Sequence, residues 1–401
     1  MFNDWKWSKE TNPATGEMFE FFHRYLTCAH NGNVDVDALL HSEYGDAWAK
    51  RLEPFFLYGS DPMGKKTLRY YEGLGLKKEM FETDDYFTRW ALFTPLAMYL
   101  PENRDRKYPL VFVHHGGGNS LESEEFSTGF QLIAAKEGFM VANLQNTNPD
   151  NVIRVLDIIK EKYPLDESRV YVTGYSQGGM QTTRVTALYG ERFAAAAPGG
   201  NALAVKMADP EEAKKIEDGL KSVRLPFLQM IGESEMSNIV PYNKVLARKA
   251  WSLSYPGDPV AQLHEDWSGD PTRLGPRPDF SVDPALTPEK RLEENVNARL
   301  RLLNCEPRDI EKCMAIGENS PEAERVTGFY GDTEEIHVYD GKKYYDLGIK
   351  SRDGVDMFHL VVLENAPHWP PLAMAQIEWD FFKQFRRNPE TKALETIPYE
   401  Y

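Results

Sequence analysis

The sequence predicts an α/β fold, a mainly parallel sheet flanked by helices, on three observations. From Tyr86 onward, short β-forming runs alternate with helix-length segments, which implies crossover connections and parallel strands. Pro109 to Val113 is a continuous apolar run, the pattern of a strand buried on both faces. Val170, Tyr171 and Val172 then lead through Gly174-Tyr-Ser-Gln-Gly-Gly179 into a Gly- and Pro-free stretch, Met180 to Tyr189, so a serine sits at a sharp strand-to-helix turn.

Composition bounds the function. The chain has 401 residues, 41% hydrophobic and 12% aromatic, enough for a large core. With 46 basic against 62 acidic residues the net charge is −16, which argues against nucleic acid or an anionic membrane as partner. No apolar run reaches the roughly 20 residues of a transmembrane helix. The first ten residues carry no apolar leader core, so a cytoplasmic protein is expected, or a secreted one if a leader has been removed. Of three cysteines, Cys305 and Cys313 could pair, but so few thiols fit a reducing compartment better.

Residues 1–85 read as a helical N-terminal extension. Met18, Phe21, Phe22, Tyr25, Leu26 and Ala29 mark one amphipathic helix, ended by Asn31-Gly-Asn33. Ala38 to Leu52 predicts a second, interrupted near Gly45. Such a pair needs another body to bury its apolar stripe. Packing on the main domain is the expected role, with a homodimer contact or a lid as alternatives.

The main domain is expected over 86–386. Trp90 to Tyr99 reads as a strand at an edge or bulged by Pro95. Strand 109–113, helix Glu124 to Lys136, strand Phe139 to Leu144 and a helix bearing Val152, Val155, Leu156 and Ile159 follow, then the elbow strand. Further strands fall at Phe193 to Ala197 and Leu225 to Ile231. Residues 243–286 break the rhythm with nine Gly or Pro residues beside Trp251 and Trp267, and read as a lid-like insertion. Thr287-Pro288 predicts a helix start, with Leu292, Val296, Leu300 and Leu303 as its apolar face. Glu335 to Tyr339 and Lys343 to Ile349 flank Asp340-Gly341 as a hairpin. Phe358 to Leu363 is the last strand expected, Leu372 to Phe385 the closing helix, and 387–401 a tail.

A serine nucleophile needs a base, an acid to orient the base, and donors for an oxyanion. A Gly-x-Ser-x-Gly match alone arises by chance roughly one time in eight in a chain of this length, so the other parts decide. Ser176 is the candidate nucleophile. His114-His-Gly-Gly-Gly118, directly after the buried strand, has the composition of an oxyanion loop: the N–H groups of Gly117, with Gly116 as the neighbouring option, and of Gln177 are the candidate donors. Among the histidines after the elbow, His368 stands in a loop just past the last predicted strand and is the candidate base. His359 lies inside that strand, His337 in the hairpin and His264 in the insertion. The acid is expected in Gly232-Glu-Ser-Glu-Met-Ser-Asn-Ile-Val-Pro-Tyr242, which has no aspartate. Glu235 is the first choice there and Glu233 the second.

These pieces resemble a known family. Tyr108 to Gly117, Asp166 to Gly179, the Gly232 to Tyr242 loop ending in Val-Pro-Tyr, and His368-Trp-Pro370 are similar to segments of the polyhydroxybutyrate-depolymerase-like and feruloyl-esterase-like carboxylesterases, a branch of the α/β-hydrolase fold. The likeness runs from about Tyr86 to Phe385, outside 1–85 and most of 243–286. Two departures stand out: the family has an aspartate where this chain offers Glu233 and Glu235, and it commonly spaces the histidine one residue further from the tryptophan. The resemblance implies a serine esterase acting on small or oligomeric esters. The same machinery can cleave peptides, and a non-catalytic binding protein on this fold is the third reading. Trp369, Trp251, Trp267 and Tyr175 are candidate substrate contacts. No HExxH, Cys-x-x-Cys or strand-linked G-x-G-x-x-G occurs, so no metal or dinucleotide cofactor is expected.

Overall fold

The computed structural model describes residues 34, 36–58, 60–117, 119–200, 210–233, 235 and 292–397. The first amphipathic helix, the 243–286 insertion with Trp251, Trp267 and His264, and the predicted helix start at Thr287 lie outside the described residues. In chain order come helices α1 (Val36–Leu40), α2 (Glu43–Tyr58) and α3 (Lys65–Leu74), then strands β1 (Leu76–Phe81), β2 (Trp90–Pro95) and β3 (Tyr108–His114). Helices α4 (Leu121–Ser127) and α5 (Phe130–Glu137), β4 (Met140–Leu144), α6 (Pro149–Lys162), β5 (Leu165–Tyr175) and α7 (Gln177–Tyr189) follow. After them come β6 (Ala195–Gly199), α8 (Pro210–Ser222), β7 (Phe227–Gly232), then short helices α9 (Ala298–Leu302), α10 (Ile310–Ala315) and α11 (Glu322–Thr327). The chain closes with β8 (Thr333–Tyr339), β9 (Lys342–Lys350), β10 (Asp356–Leu363), α12 (Met374–Phe382), β11 (Phe385–Arg387) and β12 (Leu394–Thr396).

Two compact units divide the described chain. One holds 54–199, 210–228 and 372–397; the other holds 34–53, 200, 229–235 and 292–371. In the first, the strand order is β1-β2-β4-β3-β5-β6-β7. β2 pairs antiparallel with both β1 and β4, and β4, β3, β5, β6 and β7 run parallel. In the second, the end of β7 is followed in the order by β10, β9 and β8, an antiparallel set. An antiparallel lead-in, a parallel run, and a Gly-framed serine directly after β5 make this an α/β-hydrolase fold.

The first unit is built around β3, whose seven residues are all buried. On β5, Tyr171 stacks on Phe382 of α12 at 5.0 Å between ring centroids, and Trp379 of the same helix stacks on Phe139 at 3.9 Å. The apolar faces predicted for α6 and for Leu292, Val296, Leu300 and Leu303 are buried. Asp340 and Gly341 both adopt positive φ, the backbone a two-residue hairpin turn of this hand needs.

Several expectations are corrected. The extension is not purely helical: Leu76–Phe81 forms β1, paired along its length with β2. Its period-2 pattern is masked because Lys78 occupies an inward position, where its ammonium meets Glu125 at 2.7 Å. β2 is therefore no edge strand, and it ends at Pro95 because proline has no N–H to extend the ladder. Gly45 lies inside α2 rather than interrupting it. The break falls at His41–Ser42, and Gly45 accommodates the Leu40 carbonyl where a Cβ could not fit. Glu124 to Lys136 is two helices, separated at Gly129 in the left-handed region (φ 80°). The tail contains strands, β11 pairing with β12. Cys305 and Cys313, by contrast, are buried free thiols, in keeping with the expectation from so few cysteines. Among the described residues no helix is long and apolar enough to cross a membrane.

Candidate active site

The elbow is a packing consequence of its glycines. A Cβ on Gly174 would lie 2.7 Å from both the His114 oxygen and the Gly178 carbonyl carbon, and a Cβ on Gly178 would overlap the His114 carbonyl. Strand β3, strand β5 and the first turn of α7 thus approach backbone to backbone. Ser176, held between them, takes φ 58° and ψ −119°, a region L-residues occupy only under constraint. Its N–H donates to Gly199 O at 3.1 Å. Its side chain is half-buried, and Gln177 beside it is exposed. Gln177 opens α7, so its N–H has no intrahelical acceptor.

The glycine loop faces this turn. The Cβ position of Gly116 is 3.8 Å from Ser176 Cβ, and that of Gly117 is 3.4 Å from the Gln177 Oε1. The two glycines differ in their hydrogen bonds. Gly116 is buried and its N–H donates to Glu124 Oε1 at 3.3 Å, whereas Gly117 is exposed. Gly116 is thereby committed, and Gly117 is the exposed one of the two. Gly118 lies outside the described residues.

His114 is fully buried, and burial first, then the charge of His115, lowers its pKa to about 3, so it is a neutral core ring. His115 sets Nδ1 2.9 Å from Gly116 O and Nε2 2.9 Å from Gln145 O. Glu124 is buried in α4, and burial pushes its carboxyl up to about 7 against the opposing pull of His115, the Gly116 N–H, Ser127 and Asn119.

The second unit holds the candidate acid and base. His368 Nδ1 lies 2.5 Å from Glu235 Oε1, with the glutamate fully buried and the ring nearly so. Glu233 does something else: its carboxylate accepts from the Asn365 N–H at 2.7 Å, and its own N–H donates to Leu363 O at 3.0 Å. It braces the turn after β10, where Asn365 takes φ 45°. Gly232 allows the Ala366 and Pro367 carbonyls to approach closer than any Cβ permits, which brings the two loops together.

Trp369 is half-buried and meets Trp48 of α2 edge-on at 6.2 Å. Tyr175 is buried, with only 1% of its surface exposed, so it packs the core under the elbow instead of offering a face to a ligand. Two features escaped the sequence reading. Glu124 braces the loop from eight residues away, and its only signal is an acidic run, Glu122, Glu124 and Glu125, in a helix that is otherwise buried. His359 and His337 share Asp346, at 2.7 and 3.3 Å. The hairpin register that joins them is visible only in three dimensions. Among the described residues no cluster of ligating side chains could hold a metal.

No family model matches the chain. It is 28% identical over 127 residues to a bifunctional acetylxylan esterase/xylanase of Neocallimastix patriciarum, covering 29% of this chain and 19% of that protein. It is also 28% identical over 122 residues to feruloyl esterase B of Thermothelomyces thermophilus, covering 25% of this chain and 42% of that one. The chain thus spans about a fifth and under half of these two relatives. Among solved structures, an S-formylglutathione hydrolase from Agrobacterium tumefaciens aligns at 15% identity and a TM-score of 0.35, over 50% of this chain and 97% of that one, a likeness too loose to bear on function.

Proposed function

We propose that the chain is a cofactor-free serine carboxylesterase. The observation that carries this reading is Ser176, held at φ 58° at the N-cap of α7 beside a glycine loop. Nothing in ordinary packing requires a serine in that strained backbone. Nucleophilic ester cleavage does, because the turn presents Oγ and a row of N–H groups to the same carbonyl.

In this reading Ser176 Oγ attacks the ester carbonyl and His368 takes its proton through Nε2. Glu235, hydrogen-bonded to Nδ1, fixes the ring's tautomer and balances the imidazolium. The oxyanion is met by the N–H groups of Gly117 and Gln177; those of Gly116 and Ser176 are already engaged by Glu124 and Gly199. The alcohol leaves with the proton from His368, and water activated by the same ring clears the acyl-enzyme. The two relatives are named for acetylxylan and feruloyl esters, so acetyl and feruloyl esters are the first substrates to try.

The test is hydrolysis of p-nitrophenyl acetate, then a panel of acetyl, butyryl, feruloyl and hydroxybutyrate esters. Ser176→Ala is expected to lower kcat by about 10⁴-fold or more. Its fluorophosphonate labelling should vanish as well. Retention of full activity by that variant would exclude the mechanism.

A further inference from the structure

We propose that Glu124 and His115 are positioning residues that clamp the Gly116 peptide so that the Gly117 N–H is held toward the reacting carbonyl. The proposal rests on the esterase reading for its function, but the clamp itself is a statement about backbone geometry. Glu124 Oε1 accepts the Gly116 N–H at 3.3 Å, while His115 Nδ1 reaches the Gly116 carbonyl at 2.9 Å. One glycine is thus gripped at both of its peptide groups. The C=O of residue 116 and the N–H of residue 117 belong to one planar trans peptide and point in opposite directions. Fixing the first fixes the second. A glycine pair has no side chain to restrain it, so an unclamped loop would sample the flipped peptide freely.

The chemistry of the two groups is matched to this task. Both oxygens facing His115, Gly116 O and Gln145 O, can only accept hydrogen bonds. A neutral ring satisfies one of them and a protonated ring satisfies both. Glu124 grips the loop through one oxygen, and Ser127 Oγ donates to its second at 3.4 Å. Its neighbours in α4 do not compete: Glu122 pairs with Arg89 at 2.8 Å and Glu125 with Lys78 at 2.7 Å. Those two pairs anchor the helix from outside while Glu124 faces the loop. The helix is also pinned at its start by Ser120, which caps it reciprocally with Ser123.

The experiment compares Glu124→Ala, Glu124→Gln and His115→Phe, each verified folded by near-UV circular dichroism. On p-nitrophenyl acetate, Glu124→Ala and His115→Phe are expected to lose about 10- to 100-fold in kcat with KM changed less than about threefold, short of the roughly 10²–10³ that loss of a whole oxyanion donor costs. Glu124→Gln keeps an acceptor for the Gly116 N–H and should recover most of the kcat, while flattening any limb of the pH–rate profile near 7. A second readout is independent of activity: amide hydrogen exchange in the peptide covering 115–120 should quicken at least about tenfold in Glu124→Ala and stay near wild type in Glu124→Gln. Loss expressed only in KM, or Gln as poor as Ala in both readouts, would overturn the clamp. If the wild type hydrolyses no ester in a Ser176-dependent way, the esterase reading fails, and exchange alone decides the clamp: unchanged exchange in Glu124→Ala overturns it.

Discussion

The two halves of the proposed machinery are built by different means. The nucleophile half is made of backbone: Gly174, Gly178 and the His114 carbonyl meet at distances that exclude any side chain, and Ser176 takes its unusual φ as a result. The acid–base half is made of side chains: a buried glutamate and a buried histidine hold each other at 2.5 Å, while Glu233 ties down the chain beside them. Backbone close packing tolerates no substitution but fixes geometry absolutely. A side-chain pair tolerates a change of residue type as long as reach and charge are kept, which is how a glutamate can stand where the resembled family has aspartate.

That contrast is open to attack from both sides. After loss of the nucleophile itself, the largest effect on turnover is expected in the side-chain half: Glu235→Gln should lower kcat by about 10²- to 10⁴-fold with little loss of fold, because the imidazole loses its fixed tautomer. Glu233→Gln should cost under about tenfold, since the Asn365 N–H keeps an acceptor. A larger loss from Glu233→Gln would exchange the two roles. In the backbone half the penalty should appear as stability: Gly178→Ala is expected to cost about 2–4 kcal/mol, read as a lowered urea midpoint, because the new Cβ meets backbone that cannot move aside. A soluble, fully stable Gly178→Ala enzyme would break the comparison.

A separate effect concerns pH and lies away from both halves. Burial alone would lower the His359 pKa, but Asp346 and Asp356 override it and raise it from 6.5 to about 10. Asp346 is held down at about 2 by the two histidines against its own burial. Between pH 6.5 and 10 the folded chain therefore binds more protons at His359 than the unfolded chain does, and stability falls as pH rises through that window. The Asp346 contribution is present above pH 3.8 and is lost as pH falls through about 2. Urea midpoints at pH 6, 8 and 10, with His359→Gln giving the flatter profile, check the sign.

What could be read from the residues follows the same division. The elbow, the glycine loop, the hairpin at Asp340-Gly341 and the apolar strands announce themselves because their geometry demands particular residue types at fixed spacing. The sequence ranks Glu235 ahead of Glu233, but nothing local separates two carboxylates in one loop decisively. Their partners, Asn365 and His368, arrive more than a hundred residues later. Tyr175 was misread for a related reason: a residue beside a nucleophile can face either side of the sheet, and only packing shows that it points inward. Glu124 was hidden because a buried carboxylate looks, in sequence, like a solvated one.

The Lys78–Glu125 pair carries a practical consequence for anyone trimming this chain. Both side chains are essentially sealed from water, and Tyr71 adds its hydroxyl to the same carboxylate at 3.1 Å. A truncation beginning at residue 86, where the alternating pattern starts, would remove both partners and strip the strand from the side of β2. It would leave the Glu125 carboxylate without either of its partners. That carboxylate lies one residue from the one gripping the glycine loop. A piece that keeps this cluster intact therefore begins upstream of Tyr71, and a shorter clone that comes out insoluble says nothing about the catalytic residues it still contains.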